Sequence, residues 1–364
     1  MKIERIESYR RDDHLLAVHV TTDDGVVGVG QASVFRAGIT QRVLHDMVAP
    51  MFLGRDPWDL EAIVHATVRE HYKFEGSFVT RALCGVDTAI WDILGKTAGV
   101  PVYRLLGGRL RDEIPVYASS IRRDISPEDE SERLGTLISE LGFTGVKIRI
   151  GREMGMSTDQ WPGRTETLIR TVRETLGEDV IIHADANGGY DTADAIRIGR
   201  LLEEYNYGHF EEPTPYTETD SMAAIADALD IPVAAGEHDT SLDQIGRSIR
   251  RGAVDIIQPD IGYLGGVSRA RKVAGMAEAQ RIPCTPHCSS QSMIQVFTLH
   301  LAASAPAAYQ LQEWSIESQR LFEGMYAPMP VVRNGVVQVG TAPGWGVELE
   351  KTFMERADRE VSTA

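Results

Sequence analysis

Three acidic residues recur at a fixed interval in the middle of the chain. Glu211 follows Asp185 by 26 residues, and Glu237 follows Glu211 by 26. Each ends a short apolar run: "IIHAD", "GHFE" and "PVAAGE". Three carboxylates in one partly buried place need a cation, and an all-oxygen ligand set favours a hard ion such as Mg²⁺. An acid after a strand can instead cap a helix or fix a turn, but three at equal spacing favour a metal site.

The series of polar residues at the ends of apolar runs continues towards the C-terminus. Asp260 ends "IIQPD", His287 follows it by 27 residues in "CTPH", and Glu313 follows by a further 26 in "LQE". An Asp beside a His fixes its tautomer and raises its basicity, so Asp260 and His287 are predicted to form a general acid–base pair. Cys284 and Cys288 flank that histidine, but structural zinc normally takes four ligands and the chain has no second cysteine pair.

Two cations precede these acids in the stretch "TGVKIRIG". Lys147 and Arg149 are two residues apart, so in a strand they project to the same face. We expect them to face the metal across one cavity, where a substrate carboxylate would neutralise the charges on that face. The arrangement suits an anion that becomes more negative during reaction, as when a base removes the proton α to a carboxylate and leaves an enolate.

A run of β/α units is predicted to position these residues. Short apolar runs such as "GVKIRI", "VIIHADAN", "PVAAGE" and "YQLQEW" alternate with segments of helical length, which indicates parallel strands covered by helices. Seven such runs and an opening strand at "IPVYASS" make eight, the number that closes a (β/α)₈ barrel with its active site at the carboxyl ends of the strands. A doubly wound open sheet is the alternative, but a convincing glycine-rich first turn is missing.

Two further segments flank the predicted barrel, which spans residues 113–325. Residues 1–112 contain the hairpin pattern "LLAVHVTTDDGVVGVG" followed by helical patterns, which indicates an α+β unit. In residues 326–364, "VVRNGVVQVGTAPGWGVELE" predicts a hairpin and a final strand segment, which we assign as a return to the first unit. The predicted fold class is therefore α/β, with a flanking α+β domain.

Composition excludes several classes of partner. The 364-residue chain carries a net charge of −16 with a pI of about 5.1, which argues against nucleic acid and anionic membranes. No apolar run approaches the roughly 20 residues of a membrane span, and the start has no apolar stretch of a secretory signal. Three cysteines give no disulfide framework and suit a reducing compartment. We expect a cytoplasmic protein acting on a small molecule.

The combined motifs resemble the enolase superfamily and, within it, the mandelate racemase subgroup. The matching pieces are "VKIRIG", "DANGGYD", "FEEP", "AGEHD", "QPDIGYLGG", "TPH" and "LQE". "GVDTAIWDILGK" and "PVYRLLGG" resemble the end of that family's capping domain. The resemblance implies an N-terminal α+β capping domain completed by the C-terminal segment, metal ligation by Asp185, Glu211 and Glu237, and a homo-oligomer.

The same resemblance implies roles for the later strand ends. It implies an Asp260–His287 dyad and a Glu313 that hydrogen-bonds the substrate carboxylate. Residues 71–78, "HYKFEGSF", are similar to one of the family's mobile lid loops. The other loop is shortened here to "RRDDH", which would leave room for a polar, extended substrate.

One departure from the family pattern decides the predicted reaction. Racemases of the subgroup use a second lysine as a base where this chain has Arg149, and arginine stays protonated under essentially all conditions. A racemase needs a base on each face of the α-carbon, whereas β-elimination can use one dyad twice. "AGEHDT" also resembles sugar-acid dehydratases. We therefore predict Mg²⁺-dependent dehydration of an aldonate or aldarate to a 2-keto-3-deoxy acid, with His287 as base and acid and Lys147 and Arg149 on the carboxylate.

Several assignments stay open at this point. His238 is a candidate substrate-hydroxyl contact or second acid, and Asn187 and Tyr190 are candidate supporting residues or mere helix-start residues. Whether Lys147 or His287 takes the first proton is not decided. Racemisation, epimerisation or lactone cycloisomerisation would use the same enolate, and a binding protein built on an inactive barrel is an alternative of another class.

Overall fold

The structure is a computed structural model that describes residues 1–32, 34–74, 76–152, 154–317 and 319–364. Glu75, inside the predicted lid 71–78, lies outside the described residues. In the described part of the chain, no helix combines the length and the apolar character that a bilayer crossing requires.

Fifteen strands and fifteen α-helices are described. The strands are β1 Ile3–Arg11, β2 Leu15–Thr22, β3 Val27–Gln31, β4 Glu113–Ser119, β5 Gly145–Arg149, β6 Ile181–Asp185, β7 His209–Glu211, β8 Val233–Ala235, β9 Ile256–Ile257, β10 Gln312–Ser315, β11 Tyr326–Ala327, β12 Val332–Arg333, β13 Val336–Gln338, β14 Glu348–Leu349 and β15 Asp358–Thr363. The α-helices are α1 Ala37–Val43, α2 Ala49–Phe52, α3 Leu60–Glu70, α4 Ser77–Ala98, α5 Val102–Leu105, α6 Pro127–Leu141, α7 Arg164–Leu176, α8 Thr192–Glu204, α9 Thr219–Ala228, α10 Leu242–Arg251, α11 Ile261–Leu264, α12 Val267–Gln280, α13 Met293–Ser304, α14 Gln319–Phe322 and α15 Lys351–Arg356. A π-helical turn spans Leu44–Val48, and 3₁₀ turns span Pro57–Asp59 and Tyr72–Phe74.

The barrel has a strand or bridge at each of the eight predicted places. Strands β4 to β9 pair in sequence order, and every pair is parallel. At the seventh strand position, Cys284 forms isolated parallel β-bridges with Ile257 and Ala308. β10 then pairs with β4 and closes the ring. The (β/α)₈ prediction is confirmed, and the open-sheet alternative is wrong because an open sheet would leave β4 and β10 as unpaired edges.

Strand register already brings the predicted site residues together. Arg149 at the end of β5 is aligned with Asp185 at the end of β6, and Asp185 is aligned with Glu211 at the end of β7. The apolar residues of these strands are buried, with Val146, Ile148, Ile182 and Phe210 at 2% exposure or less. The strand ends therefore carry the polar groups at one height, as a barrel mouth requires.

The first unit is an antiparallel sheet with helices on it. Its strand order is β15-β1-β2-β3, so the C-terminal strand β15 completes the N-terminal sheet. The predicted return of the chain to this unit is correct for β15. It is wrong for the hairpin β12–β13, because β13 pairs with barrel strand β4 instead. The boundaries near residues 112 and 325 stay predictions.

Helix α4 connects the first unit to the barrel. Its Asp87 Oδ2 accepts a hydrogen bond from the backbone N–H of Ser268 at 3.2 Å, in the first turn of α12. The Trp91 indole donates to the Ser268 hydroxyl at 3.0 Å. Gly266, which precedes α12, has φ 103° and ψ 179°, and a Cβ there would meet the Asp87 carboxylate at 2.2 Å. This junction fixes the first unit over the mouth of the barrel.

We expect Gly266→Ala to lower the free energy of unfolding by about 2 kcal/mol or more, because only glycine adopts this backbone conformation without strain and the added methyl displaces Asp87. Gly275→Ala is the matched control. Gly275 lies in the same helix with no neighbouring atom within 4 Å of an added Cβ, so this change should preserve stability or add up to about 1 kcal/mol. Denaturant unfolding of both variants measures the difference, and equal stabilities would contradict the role of the junction.

Candidate active site

The three periodic acids meet at the carboxyl ends of consecutive barrel strands. Asp185 ends β6, Glu211 ends β7, and Glu237 follows β8 by two residues. One carboxylate oxygen from each lies within 4.8 Å of the others, and all three side chains are buried. The sequence prediction that they converge is confirmed.

The chemistry of this cluster fits a hard divalent cation. Burial, opposed by His287 and reinforced by the negative charge of Glu212, raises the pKa of Glu237 to about 7. Its Oε2 is buried and makes no hydrogen bond among the described residues, although His287 Nε2 lies 3.2 Å away. This buried oxygen and two further carboxylates provide the oxygen ligands that Mg²⁺ and related ions prefer.

The backbone adopts a positive φ next to each of these acids. Asn187, two residues after Asp185, has φ 46°; Glu212, directly after Glu211, has φ 41°. Gly236, directly before Glu237, has φ 124°. Left-handed conformations at non-glycine residues cost free energy and concentrate at functional sites. The backbone thus bends away from each strand at the point where its carboxylate enters the cluster.

Lys147 lies at the centre of the carboxylates. Its Nζ contacts Glu211 Oε1 at 2.7 Å, Glu313 Oε1 at 2.8 Å and Asp185 Oδ2 at 3.5 Å. Burial alone would lower the pKa of Lys147, but Glu211 and Glu313 raise it above its ordinary value. Glu211 and Glu313 therefore favour the protonated form of Lys147 in this arrangement.

Arg149 forms an ion pair with Asp185 and shares an asparagine with a second arginine. Asn187 Oδ1 accepts hydrogen bonds from Arg149 at 3.0 Å and from Arg123 at 2.8 Å. The backbone N–H of Asn187 donates to Asp185 Oδ1 at 2.7 Å. The left-handed Asn187 thus joins one acid of the cluster to two guanidinium groups, and its role as a supporting residue stays a prediction.

Asp260 and His287 form the predicted dyad. His287 Nδ1 lies 2.7 Å from Asp260 Oδ2, while Asp260 Oδ1 accepts from the backbone N–H of Tyr263 at 2.9 Å. Asp260 therefore caps α11 through Oδ1 and orients His287 through Oδ2. His287 Nε2 faces Glu237 Oε2 at 3.2 Å. Burial lowers the pKa of His287, but Glu237, Glu313 and Asp260 together raise it to about 10.

The Glu313 carboxylate contacts three groups: Lys147 Nζ, the Ser119 hydroxyl and the backbone N–H of Cys288. Its Oε1 accepts from the Ser119 hydroxyl at 2.7 Å, and its Oε2 accepts from the backbone N–H of Cys288 at 2.7 Å. Burial raises the pKa of Glu313, but Lys147 and His287 lower it to about 2. Lys147 and His287 therefore favour the carboxylate form of Glu313, which accepts hydrogen bonds, whereas a hydrogen bond donated to a substrate carboxylate needs the protonated form.

His238 contacts the acids Glu212 and Glu237. Its Nδ1 lies 2.9 Å from Glu212 Oε1 and 3.5 Å from Glu237 Oε1, and its ring stacks on Tyr216. Burial lowers its pKa, but Glu212 and Glu237 raise it to about 9. The group Glu212, Glu237 and His238 is a second candidate cation cluster, although a protonated His238 already neutralises Glu212.

A cavity of about 370 Å³ opens over the dyad and the acids. Its described lining includes Arg149, Asn187, Glu237 and His287, and the first unit contributes His14, Val34 and Phe35. A larger cavity of about 690 Å³ lies beside the β12–β13 hairpin, away from these groups. Tyr190 lines neither cavity: its ring faces Phe210 at 6.5 Å. The structure thus gathers every predicted strand-end residue, whereas Tyr190 lies outside the lining of this cavity.

Sequence reasoning missed several residues of the site. Gln258 donates to Glu211 Oε2 at 2.9 Å, and Ser119, Glu212 and Arg123 make the contacts described above. Ser119 and Gln258 lie at strand ends in "VYASS" and "IIQPD". The search for polar residues at the ends of apolar runs, which identified the acids, would therefore also have identified these two. Arg123 lies in a loop, where spacing carries no such signal.

Comparisons with protein-family models match both the N-terminal unit and the barrel of this chain. The model of the mandelate racemase / muconate lactonizing enzyme N-terminal domain matches residues 7–107. The model described as enolase C-terminal domain-like matches residues 130–353, more than half of the chain.

Curated relatives match over most of their length. Arabinonate dehydratase of Saccharolobus solfataricus is 30% identical over 347 residues, 94% of this chain and 90% of the relative. D-Galactonate dehydratase of Pectobacterium atrosepticum is 31% identical over 320 residues, 87% of this chain and 82% of the relative. A crystal structure from Roseobacter denitrificans, of a protein provisionally named a racemase, is 44% identical with a TM-score of 0.97 and complete coverage of both chains.

If the cation site is Asp185, Glu211 and Glu237, Asp185→Asn should weaken Mg²⁺ and Mn²⁺ binding more than about tenfold, since even residues outside the ligand set change affinity by that factor. Glu212→Gln is the matched control, a buried acid beside the cluster that belongs to the second group only. Calorimetric titration of both variants, with circular dichroism to verify folding, separates the two groups. If Glu212→Gln weakens Mg²⁺ and Mn²⁺ binding and Asp185→Asn does not, the cation would be assigned to the group Glu212, Glu237 and His238.

Proposed function

Because the chain belongs to the mandelate racemase and muconate lactonizing enzyme family of the enolase superfamily, we propose that it is a lyase that dehydrates a sugar acid. The substrate would be an aldonate or aldarate, and the product a 2-keto-3-deoxy acid. The names of the arabinonate and D-galactonate dehydratases support the reaction class.

One observation carries the proposal: among the described residues that line the cavity, His287 can serve as a base, and Arg149 stands where a racemase would require a second base. His287 Nε2 faces the acids, whereas Arg149 is ion-paired with Asp185 and hydrogen-bonded to Asn187 and to the backbone carbonyl of Ser120. An arginine held in this way does not accept a proton. A site with one base supports elimination and not inversion at the α-carbon.

His287 would move the proton in both halves of the reaction. Its Nδ1–H is held by Asp260, so Nε2 accepts the proton from the α-carbon. The electrons of the broken C–H bond form the double bond between the α- and β-carbons, and the β-hydroxyl leaves with the same proton from Nε2 as water. The resulting enol tautomerises to the 2-keto acid. Because one group serves both steps, the proton and the hydroxyl leave from the same face.

Lys147 and Arg149 would hold the substrate carboxylate through this change. Both are buried cations, so their attraction for the extra negative charge is only weakly screened by water. They are therefore assigned to binding and polarising the carboxylate. Glu313 is assigned to positioning Lys147, whose Nζ lies 2.8 Å from Glu313 Oε1. The predicted hydrogen bond from Glu313 to the substrate carboxylate would require the protonated form of Glu313.

Mg²⁺ is the proposed cofactor, held by Asp185, Glu211 and Glu237. When bound, a divalent cation supplies positive charge that offsets the three carboxylates, weakens their hold on the His287 proton and favours the deprotonated substrate.

Racemisation is the second candidate, because the 44% identical Roseobacter denitrificans protein carries that name. The described cavity lining provides Arg149 where a second base would be required, which weighs against it. The cytoplasmic location and the homo-oligomeric state stay predictions.

Incubation of the protein with Mg²⁺ and a panel of aldonic and aldaric acids in D₂O tests the reaction. We expect a 2-keto-3-deoxy product by NMR and no epimer of the remaining substrate at the α-carbon. His287→Asn should reduce turnover by roughly 10²–10⁴-fold, since the general base is lost, while Mg²⁺ binding stays within a few-fold of the wild-type protein.

Two results would contradict the proposal. Deuterium exchange or inversion at the α-carbon without a 2-keto product would assign the chain to racemisation. Full turnover in His287→Asn would require a different base.

A further inference from the structure

A buried tyrosine ring lies close to two histidines of the candidate site. The centroid of the Tyr263 ring is 6.2 Å from that of His287 and 6.1 Å from that of His238. Tyr263 is 9% exposed and lines the cavity over the dyad. A displacement of this ring would therefore change the space beside the proposed base.

The backbone of Tyr263 supports the dyad. Its N–H donates to Asp260 Oδ1 at 2.9 Å, while Asp260 Oδ2 lies 2.7 Å from His287 Nδ1. One carboxylate therefore contacts both the tyrosine and the proposed base. Because the two oxygens of a carboxylate move together, a shift of the Tyr263 backbone would turn Asp260 and the imidazole that Asp260 orients.

An arginine of the first unit packs on this tyrosine. Arg81 lies near the start of α4, and its guanidinium carbon is 3.7 Å from the centre of the Tyr263 ring. A tyrosine face attracts a cation, and a planar guanidinium can stack on it. Because α4 belongs to the first unit and α11, which contains Tyr263, belongs to the barrel, this contact joins the two units beside the dyad.

The same guanidinium contacts a second wall of the cavity. Arg81 Nη1 donates to the backbone carbonyl of Val34 at 2.9 Å, and Arg81 Nε donates to the Ser77 hydroxyl at 2.6 Å. Val34 lines the same cavity as Tyr263 and His287. One side chain thus sets the spacing between a wall residue of the first unit and a wall residue of the barrel.

We propose that Arg81 is a positioning residue for the reaction: by stacking on Tyr263 and donating to the Val34 carbonyl, it keeps the Asp260–His287 dyad and the first unit's side of the cavity in one arrangement. This inference rests on the proposed dehydration and adds a residue of the first unit to it. Arg81 acts through Tyr263 and is not itself a catalytic residue.

The chemistry of arginine suits this role. A guanidinium presents a planar face to an aromatic ring while the N–H groups at its edge donate hydrogen bonds in fixed directions. Arg81 uses the face on Tyr263 and the edge on Val34 and Ser77 at the same time. The compact ammonium of a lysine has no planar face and cannot make this combination of contacts.

Steady-state kinetics of Arg81→Gln test the proposal with the sugar acid that is turned over best. We expect kcat to fall by roughly 10- to 100-fold, because a small displacement of a base is costly, and KM to change by less than about threefold. Arg104→Gln is the matched control: the Arg104 guanidinium lies 5.9 Å from the Tyr103 ring, and Arg104 is outside the described cavity lining. This control should leave both constants unchanged.

A double-mutant cycle shows whether Arg81 acts through the tyrosine. In the Tyr263→Leu background the ring is gone, so Arg81→Gln should lower kcat by less than about threefold. An equal fall of kcat in both backgrounds would overturn the proposal. If thermal unfolding shows that Arg81→Gln does not fold, Arg81→Lys replaces it in the cycle. The lysine keeps the charge but loses the planar stack, so wild-type kcat in Arg81→Lys would also contradict the proposed role.

The ring signals of His287 report the dyad without turnover. They are observed in long-range ¹H–¹⁵N NMR spectra with Mg²⁺ present and are identified by their loss in His287→Asn. We expect them to shift in Arg81→Gln and to stay in place in Arg104→Gln. If no sugar acid yields a 2-keto product, dehydration fails, and these signals still decide the role of Arg81. Unchanged His287 signals in Arg81→Gln would overturn it, whether or not kcat falls.

Discussion

Mutual repulsion among buried carboxylates is the constraint on which this structure depends. Carboxylate oxygens of Asp185, Glu211 and Glu237 lie within 4.8 Å of one another, and all three side chains are buried. Like charges at this separation cannot all stay ionised without compensation. Lys147 and Arg149 supply part of it, through contacts to Glu211 and Asp185. Among the described residues, no ion pair joins Glu237 to either of these cations, and burial raises the pKa of Glu237 to about 7 against the opposing effect of His287.

This unequal compensation explains the arrangement of the remaining groups. The two cations lie on β5, next to Asp185 and Glu211, whereas Glu237 faces the histidine of the dyad at 3.2 Å. A cation that completes the charge balance would therefore lie between the carboxylate-binding residues and the base. In the proposed reaction, these positive charges would stabilise the negative charge that develops when His287 removes the α-proton.

The sequence was most informative where the fold repeats. A barrel places one strand end in each β/α period, so intervals of 23 to 27 residues identified the acids, the dyad and Glu313. The same periodicity located all eight strand places. It could not locate Arg123, because loop residues have no register, nor the direction of His238, which is set by its contact with Glu212. The β12–β13 hairpin was assigned to the wrong unit because its pattern fits either sheet edge, and only pairing with β4 decides between them.

The central claim is that the three periodic acids hold one divalent cation beside the dyad. Anomalous diffraction from crystals grown with Mn²⁺ tests it most directly, since Mn²⁺ accepts the oxygen ligands that Mg²⁺ does. The account predicts one strong peak at roughly 2.0–2.3 Å from carboxylate oxygens of Asp185, Glu211 and Glu237, close to Mg²⁺ coordination distances. A peak between Glu212 and His238, or no peak at saturating Mn²⁺, would contradict it.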